Sequence, residues 1–415
     1  MEASNKKNKK NTNTNSKTFN KKNLTKTAQI APETSIKFLT NPLSTSNLKE
    51  STAESDNKIS QQPKNKKLSI YLGSYEGNLY SVDLDLKTKE LEMFKFKVSE
   101  NSIKVITHQS QYIFASGIDE MIHIYDMNKK EEKGLFVTYA GSISNIFIVK
   151  DFLLASGDDC NIPIWRLSDF GLLHSLKGHK KSVVSLAVHK TGKFCISSAK
   201  DNTLIVWNLM NGLKIIKYNL KNLICNKIIF LNDEQHALIV FDYEFWIFNY
   251  LKNSELHQEW IEKKIKSDFK ILDVISVADK LVLFSNLGEM AIYENALEAE
   301  NDKVVLKVLD KPEKVDKEDL EIRIKALNYV KEKKLGLLNV IYSNNEVYVY
   351  DLNKILNLDN ARKTYKTKKD NENTDEKEED KEEVNANKVV VKKFKSINLK
   401  TGDRLTCLDG QILNN

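Results

Sequence analysis

One pattern recurs seven times along this chain: an apolar strand, a tight polar turn, and a second alternating strand that closes on an aromatic or apolar residue. Two of the seven units are KFCISSAKDNTLIVWNL and KLGLLNVIYSNNEVYVYDL. The closing positions lie 43, 40, 42, 41, 45 and 57 residues apart, at Val82, Tyr125, Trp165, Trp207, Phe248, Tyr293 and Tyr350. Units of this kind cannot bury their apolar faces alone, so they must stack on one another.

A period of roughly 40 to 45 residues with four short strands per unit is typical of a WD-repeat β-propeller. Six units have a further strand before the hairpin, whereas the first unit has none. The segment RLTCLDG, Arg404–Gly410, is predicted to supply it, because pairing the two chain ends in one blade removes two open sheet edges. The sequence therefore predicts an all-β, seven-bladed WD-repeat β-propeller closed by pairing of its N- and C-terminal strands. Its blade one is predicted to contain Arg404–Asp409, Leu68–Ser74, Asn78–Leu84 and Leu91–Val98.

Charge divides the chain into an arm and a propeller domain. Residues 1–67 contain 14 Lys and 5 Asp or Glu, so this segment has a net charge of +9 and the remainder of the chain carries −2. With almost no periodic apolar positions, 1–67 is predicted to be a disordered basic N-terminal arm, followed by the propeller over 68–415. Within the propeller, 358–388 is predicted to be a disordered charged insertion in blade seven, and Lys311–Glu321 a smaller excursion. Both are interpreted as solvated spacers, with a partner-binding arm as the alternative.

Several classes of site have no signature in this sequence. The four cysteines, Cys160, Cys195, Cys225 and Cys407, stand far apart without a Cys-x-x-Cys pair, which predicts neither a zinc site nor a disulfide framework. There is no phosphate-binding glycine motif and no His-Glu-x-x-His, and no apolar run approaches the roughly 18 residues of a membrane span. We therefore expect no cofactor, no metal, no small-molecule substrate and no membrane attachment, and a cytosolic or nuclear protein.

Blade four carries the sharpest local constellation of polar residues. The segment GHKKS precedes its first strand and SSAKDNTLIVW forms its hairpin, so the loop with His179 and the turn with Asp201 are expected at the same end of the blade. The imidazole would then join the carboxylate to Ser197, and Ser197 would reach the indole N–H of Trp207. A catalytic triad uses the same residue types, but this serine lacks a Gly-x-Ser-x-Gly elbow. The sequence therefore predicts a structural network and no catalytic residue.

Several units resemble one family of WD-repeat proteins. The segments LGSYEGNLYSVDL, ASGIDEMIHIYDM, SGDDCNIPIWRL and LHSLKGHKKSVVSLAVHKTGKFCISSAKDNTLIVWNLMNG look like the family known as p21-activated-kinase-interacting protein in animals and maintenance-of-killer protein in yeast. The resemblance covers Leu68–Leu213. It implies a non-catalytic scaffold in the nucleus and nucleolus that assembles the large (60S) ribosomal subunit with pre-ribosomal proteins. It also implies an alternative, a signalling adaptor that binds and negatively regulates a p21-activated-type kinase.

Charged turn residues are predicted to form a partner-binding face. In each blade the loop before the first strand and the turn between the second and third strands open at one end of the ring. The charged residues expected at this end are Lys177, Lys180, Lys181 and Lys200, beside Glu76, Glu120, Asp158 and Asp159. A rim of mixed sign favours a protein partner, because duplex RNA needs a broader basic field. Ordinary solvated turn residues are the alternative interpretation.

Lysines near the N-terminus form a second candidate binding element, namely Lys6, Lys7, Lys9, Lys10, Lys21 and Lys22. Basic clusters of this kind serve as nuclear import signals or hold nucleic acid, here ribosomal RNA, and they also occur as solubilising segments.

Overall fold

The computed structural model describes residues 36–38, 66–137, 141–169, 171–233, 235–250, 261–277, 280–294, 303–306, 309, 322–332, 335–356, 393–399 and 402–414. These residues belong to one compact unit, Thr34–Asn415. Their strands form seven antiparallel sheets arranged in a ring, which confirms the predicted seven-bladed β-propeller.

The strands follow the predicted order of blades along the chain. After β1 (Ile36–Phe38), blade one contains β2 (Lys66–Ser74), β3 (Asn78–Asp85) and β4 (Leu91–Lys97). Blade two contains β5 (Ile103–Gln109), β6 (Tyr112–Gly117), β7 (Met121–Asp126) and β8 (Glu131–Val137). Blade three contains β9 (Ile143–Val149), β10 (Phe152–Gly157), β11 (Asn161–Arg166) and β12 (Leu172–Lys177). Blade four contains β13 (Val183–Val188), β14 (Phe194–Ala199), β15 (Thr203–Asn208) and β16 (Leu213–Asn219).

The remaining blades have the same meander. Blade five contains β17 (Lys227–Phe230), β18 (His236–Val240), β19 (Glu244–Asn249) and β20 (Ile261–Lys266). Blade six contains β21 (Ile271–Val277), β22 (Lys280–Ser285), β23 (Met290–Glu294) and β24 (Lys303–Leu306). Blade seven contains β25 (Ile324–Glu332), β26 (Leu335–Tyr342), β27 (Glu346–Asp351) and β28 (Lys395–Asn398), with a short helix over 352–356 after β27. The last strand, β29 (Leu405–Asn414), joins blade one.

The turn between the second and third strands has the same backbone form in six blades. Its third residue has a positive φ, at Gly77 (77°), Glu120 (58°), Cys160 (59°), Asn202 (58°), Gly288 (85°) and Asn345 (64°). A left-handed residue at this position suits the twist of the flanking strands. At Gly77 a side chain is excluded as well, because a Cβ would lie 2.0 Å from the carbonyl oxygen of Ser99. The repeated form presents equivalent turns of these six blades at one end of the ring.

The hydrophobic core is divided among the interfaces between neighbouring blades. Seven apolar clusters are present, one at each interface. The aromatic residues that close the repeats lie in these clusters, and Trp165 and Trp207 are each only 1% exposed. Burying one large apolar side chain contributes about 1.5–3 kcal/mol. Packing between blades therefore accounts for the recurrence of these residues at the repeat interval.

Ring closure follows the predicted pairing of the two chain ends. Strand β29 pairs with β2 from Gly73 opposite Cys407 to Lys66 opposite Asn414. Both strands extend beyond the predicted ranges, because each gives the other a backbone partner over its whole length. The closing strand of the propeller is therefore confirmed.

One strand lies inside the segment that was predicted to be the arm. Ile36–Phe38 adds a fifth strand to blade two, with Ile36 opposite Phe136 and Phe38 opposite Gly134. Sequence analysis missed it because three residues are too few to show a period. The predicted insertion 358–388, the excursion Lys311–Glu321 and the six arm lysines from Lys6 to Lys22 lie outside the described residues. In the part of the chain that the structure describes, no helix is long and apolar enough to cross a membrane.

Candidate functional site

A chain of hydrogen bonds crosses blade four from its second strand to its third. The Nε2 atom of His179 lies 2.7 Å from the hydroxyl oxygen of Ser197, and the indole N–H of Trp207 donates to the same oxygen at 2.8 Å. All three side chains are buried. The loop before β13 is thereby attached to the hairpin of β14 and β15.

The other side of the imidazole faces the turn after β14. The Nδ1 atom of His179 lies 3.1 Å from the hydroxyl oxygen of Thr203 and 3.4 Å from Oδ1 of Asp201. The Thr203 hydroxyl donates to Oδ1 of Asp201 at 2.7 Å, and the backbone N–H of Lys180 donates to Oδ2 at 2.8 Å. Thr203 belongs to this network, but the sequence analysis missed it. Its position two residues after Asp201 could have indicated the contact, because the side chain of an aspartate in a turn commonly bonds to the residue two positions further on.

Burial of the His179 imidazole favours its neutral form. Burial lowers the pKa of this imidazole and outweighs the opposing effect of the Asp201 charge. Burial raises the pKa of Asp201, but hydrogen bonds from the Lys180 backbone and the Thr203 hydroxyl bring it below its ordinary value. Because an ionised carboxylate only accepts, Nδ1 carries the imidazole proton and Nε2 accepts from Ser197.

This arrangement attaches the loop before β13 to the blade and keeps its serine away from the surface. A nucleophilic serine must be reached by its substrate, whereas the Ser197 side chain is fully buried and its oxygen is already bonded to His179 and Trp207. The network instead fixes the position of Lys180, whose backbone is bonded to Asp201.

The basic residues of blade four lie side by side at the end of the ring that carries the repeated turns. The backbone N–H of Lys200 donates to the carbonyl oxygen of Ser182 at 3.0 Å, which joins the turn after β14 to the loop before β13. Lys180, Lys181 and Lys200 are all exposed. Lys177 is exposed as well and ends β12 in the neighbouring blade.

The acidic residues occupy the equivalent turns of blades one to three. Glu76 accepts from the backbone N–H of Arg404 at 2.8 Å, Glu120 is exposed, and Asp158 donates its backbone N–H to Ser142 at 3.2 Å. Burial raises the pKa of the Cys160 thiol, and the charges of Asp159, Asp201 and Asp158 raise it further. Since Asp201 belongs to blade four, the turns of blades three and four are close enough to interact.

Three further histidines are paired with carboxylates that sequence analysis did not assign to them. Nδ1 of His108 lies 2.6 Å from Oδ2 of Asp409, and Nε2 of His236 lies 2.7 Å from Oε2 of Glu262. His123 lies between Asp119, at 3.0 Å from Nε2, and Glu132, at 3.3 Å from Nδ1. Burial lowers the pKa of His123, but the two carboxylates outweigh it and leave the pKa raised. In the described residues no group of three or more His, Cys, Asp or Glu side chains is arranged to hold a metal ion.

Blade one and the segment before β29 meet in a polar cluster at the same end of the ring. The carboxylate of Asp403 accepts from the Asn78 amide at 2.6 Å, from Lys95 at 3.0 Å and from the hydroxyl of Tyr80. The adjacent Arg404 guanidinium lies 4.3 Å from the centre of the Tyr75 ring. These contacts add side-chain interactions to the backbone pairing of β2 and β29.

The family described as WD domain, G-beta repeat matches residues 170–208, which include the hairpin of the blade-four network. The chain is 37% identical over 121 residues to "p21-activated protein kinase-interacting protein 1-like" of Gallus gallus, covering 29% of this chain and 33% of that protein. It is 28% identical over 182 residues to "Protein MAK11" of Saccharomyces cerevisiae, covering 36% of this chain and 44% of that protein.

A third relative is "Shk1 kinase-binding protein 15" of Schizosaccharomyces pombe, which is 27% identical over 179 residues, 41% of this chain and 52% of that protein. The chain thus spans about a third to a half of the length of the curated relatives it matches. The resemblance found in the sequence is confirmed: the chain is a WD-repeat β-propeller that is similar, over about 30–40% of its length, to p21-activated protein kinase-interacting protein 1-like, MAK11 and Shk1 kinase-binding protein 15.

Proposed function

We propose that this chain is a non-catalytic WD-repeat scaffold that acts in the nucleolus in assembly and maturation of the large (60S) ribosomal subunit. The proposal rests on the family resemblance, which implies this role, and on the relationship to MAK11. The structural observation that carries it is the rigid basic rim of blade four, where Lys180 and Lys200 belong to two loops that are hydrogen-bonded to each other.

A preformed rim suits recognition of a protein. Loops held by a rigid scaffold lose little conformational entropy when a partner binds. The rim carries Lys180, Lys181 and Lys200 next to the acidic turn with Asp158 and Asp159, so a partner needs a charge pattern of its own to match it. The partners in this proposal are pre-ribosomal large-subunit proteins, and no small molecule or membrane is required.

The basic arm has a separate role in this proposal. Its lysines from Lys6 to Lys22 act as a nuclear import signal, and they offer an electrostatic contact to ribosomal RNA. Charge reversal of all six should move a fluorescently tagged chain from the nucleus to the cytosol. An unchanged distribution would reject the import role and leave the rim proposal standing.

The second candidate function is a signalling adaptor that binds and negatively regulates a p21-activated-type kinase. It is favoured by the names of two relatives, a p21-activated protein kinase-interacting protein and a Shk1 kinase-binding protein. The same rim would then contact the kinase.

Two measurements on the tagged full chain separate these functions. Scaffold function predicts nucleolar enrichment and sedimentation with large-subunit precursors in a density gradient. Adaptor function predicts diffuse cytosolic signal and co-precipitation of the kinase. Cytosolic location together with absence from the precursor fractions would overturn the first proposal in favour of the second.

A further inference from the structure

The inner strands of the seven blades, β29, β5, β9, β13, β17, β21 and β25, line the central channel of the ring. Neighbouring inner strands, such as β29 and β5 or β5 and β9, contact each other. In six blades the inner strand has a β-bulge at its second residue, which is not paired with the next strand of the blade. The bulge residues of blades one, two, three, four, six and seven are Thr406, Lys104, Ser144, Val184, Leu272 and Lys325.

The bulges lie at the end of the ring that carries the repeated turns. The backbone N–H of Tyr75, in the turn of blade one, donates to the carbonyl oxygen of Arg404 at 2.7 Å. In blade seven the backbone N–H of Ser343 donates to the carbonyl oxygen of Arg323, also at 2.7 Å. Because Arg404 and Arg323 directly precede β29 and β25, the bulge residues surround the opening of the channel at this end, which we call the channel mouth.

Two of the bulge residues are exposed lysines whose ammonium groups are held by neutral acceptors. Nζ of Lys325 donates to the carbonyl oxygen of Leu405 at 3.3 Å and to the side-chain oxygen of Asn345 at 3.2 Å. Nζ of Lys104 donates to the hydroxyl oxygen of Ser142 at 2.7 Å. Among the described residues neither ammonium group forms an ion pair with a carboxylate. Both positive charges are therefore positioned at the channel mouth without an opposite charge in contact.

The other bulge positions carry no charge, and they are occupied by Thr406, Ser144, Val184 and Leu272. On the side of blades five and six, the ammonium group of Lys227, the first residue of β17, is paired with the carboxylate of Asp273. Blade one, with Thr406, lies between the two blades that carry Lys325 and Lys104. The positive part of the channel mouth therefore extends over blades seven, one and two.

A third cation, Arg404, stands beside this positive part. It is exposed, its guanidinium lies 4.3 Å from the centre of the Tyr75 ring, and its Nε lies 3.4 Å from Oε1 of Glu76. Burial lowers the pKa of Lys325, the charge of Arg404 lowers it further, and the charge of Glu76 opposes these effects without cancelling them. An added anion would therefore stabilise the charged form of Lys325.

We propose that the channel mouth binds an acidic segment of a partner protein, with carboxylates of the segment facing Lys325 and Lys104. Alternate side chains of an extended segment lie about 7 Å apart, so a segment with several acidic residues can contact lysines on blades seven and two together. RNA fits less well, because its phosphate backbone needs cations along a longer path, whereas the neighbouring bulge positions are uncharged. This site is separate from the blade-four rim and does not depend on the proposed scaffold function.

The test uses the full chain and two labelled eight-residue peptides, one of alternating glutamate and serine and one of alternating lysine and serine, in fluorescence anisotropy titrations. The Lys104→Gln/Lys325→Gln variant removes both charges but keeps long side chains that can donate hydrogen bonds. The matched control, Lys190→Gln/Lys193→Gln, removes two exposed lysines at the opposite end of the ring. We expect saturable binding of the glutamate peptide that weakens at least about tenfold in the mouth variant and is unchanged in the control.

A gain of binding keeps the test independent of folding defects. Lys104→Glu/Lys325→Glu should bind the lysine peptide in place of the glutamate peptide, a change of preference that an unfolded chain would not produce. The proposal is overturned if the glutamate peptide does not bind, if both peptides bind the parent equally, or if the control loses as much affinity as the mouth variant. A labelled oligouridylate gives the remaining outcome: tighter binding than that of the glutamate peptide, with the same loss in the mouth variant, would identify RNA as the occupant and reject the acidic segment.

Discussion

His108 and Asp409 are 301 positions apart in the chain, yet Nδ1 of the histidine lies 2.6 Å from Oδ2 of the aspartate. The same carboxylate accepts from the Asn328 amide at 3.0 Å. Asp409 on β29 therefore links blade two to blade seven through blade one, at the point where the ring closes.

Removal of the closing strand should open the ring. A chain truncated after Thr401 loses β29, the pairing with β2 and the contacts of Asp409 with blades two and seven. We expect its melting temperature to fall by many degrees, because unpaired sheet edges and exposed core are both costly. The matched control ends at Ile412, which keeps the register from Leu68 opposite Ile412 inwards. Equal melting of the truncated chain and the control would contradict closure by β29.

The blade-four network should contribute to stability through Asp201. Asp201→Ala leaves the Lys180 N–H and the Thr203 hydroxyl without their acceptor, which should lower the free energy of unfolding by about 1–3 kcal/mol. Asp159→Ala is the control, since Asp159 has the same place in the turn of blade three but is exposed there. Urea unfolding measures both variants, and a similar small effect of the two would show that the network does not stabilise the fold.

Acid should weaken the fold through His179. Its pKa is lowered in the folded state, so the unfolded chain takes up the proton first as the pH falls. The stabilisation from the neutral imidazole is complete above the unfolded pKa of about 6.5 and is lost on acidification below it. The difference in unfolding free energy between the parent and His179→Gln should therefore shrink as the pH is lowered from about 8 to about 5. A difference that grows towards acid would mean that His179 is charged in the fold.

His123 should show the opposite dependence on pH. Asp119 and Glu132 raise its folded pKa, so its contribution is complete below the unfolded pKa of about 6.5 and is lost as the pH rises through the folded value. The stability difference between the parent and His123→Gln should be larger in acid than in mild alkali. Each variant is the control of the other. If the stability differences of the His123 and His179 variants changed with pH in the same direction, the opposite pKa shifts assigned to the two histidines would be contradicted.

The features that could be predicted from the sequence are those set by local patterns along the chain. The repeat interval and the strand missing from the first unit led to seven blades and to closure near Arg404, because both depend only on counting strands. His179, Ser197, Asp201 and Trp207 were expected to meet because they belong to one blade, whose turns alternate between its two ends.

Contacts between distant segments could not be predicted in this way. The pairing of His108 with Asp409 depends on the register of β29 and on the rotation of neighbouring blades, and neither appears in a local pattern. The strand Ile36–Phe38 depends on the free edge of β8, and its three residues have no period of their own. Fold is therefore more predictable here than the side-chain contacts between blades.

The central claim is that the blade-four rim binds a protein of the large-subunit precursors. Its most direct test is density-gradient sedimentation of the tagged chain carrying Lys180→Glu, Lys181→Glu and Lys200→Glu. The matched control carries Lys150→Glu, Lys190→Glu and Lys193→Glu, three exposed lysines in turns between the first and second strands, at the opposite end of the ring. The account predicts that the rim variant leaves the precursor fractions while the control stays in them, with the melting temperature of both unchanged. Continued co-sedimentation of a well-folded rim variant, or equal loss of both variants, would contradict it.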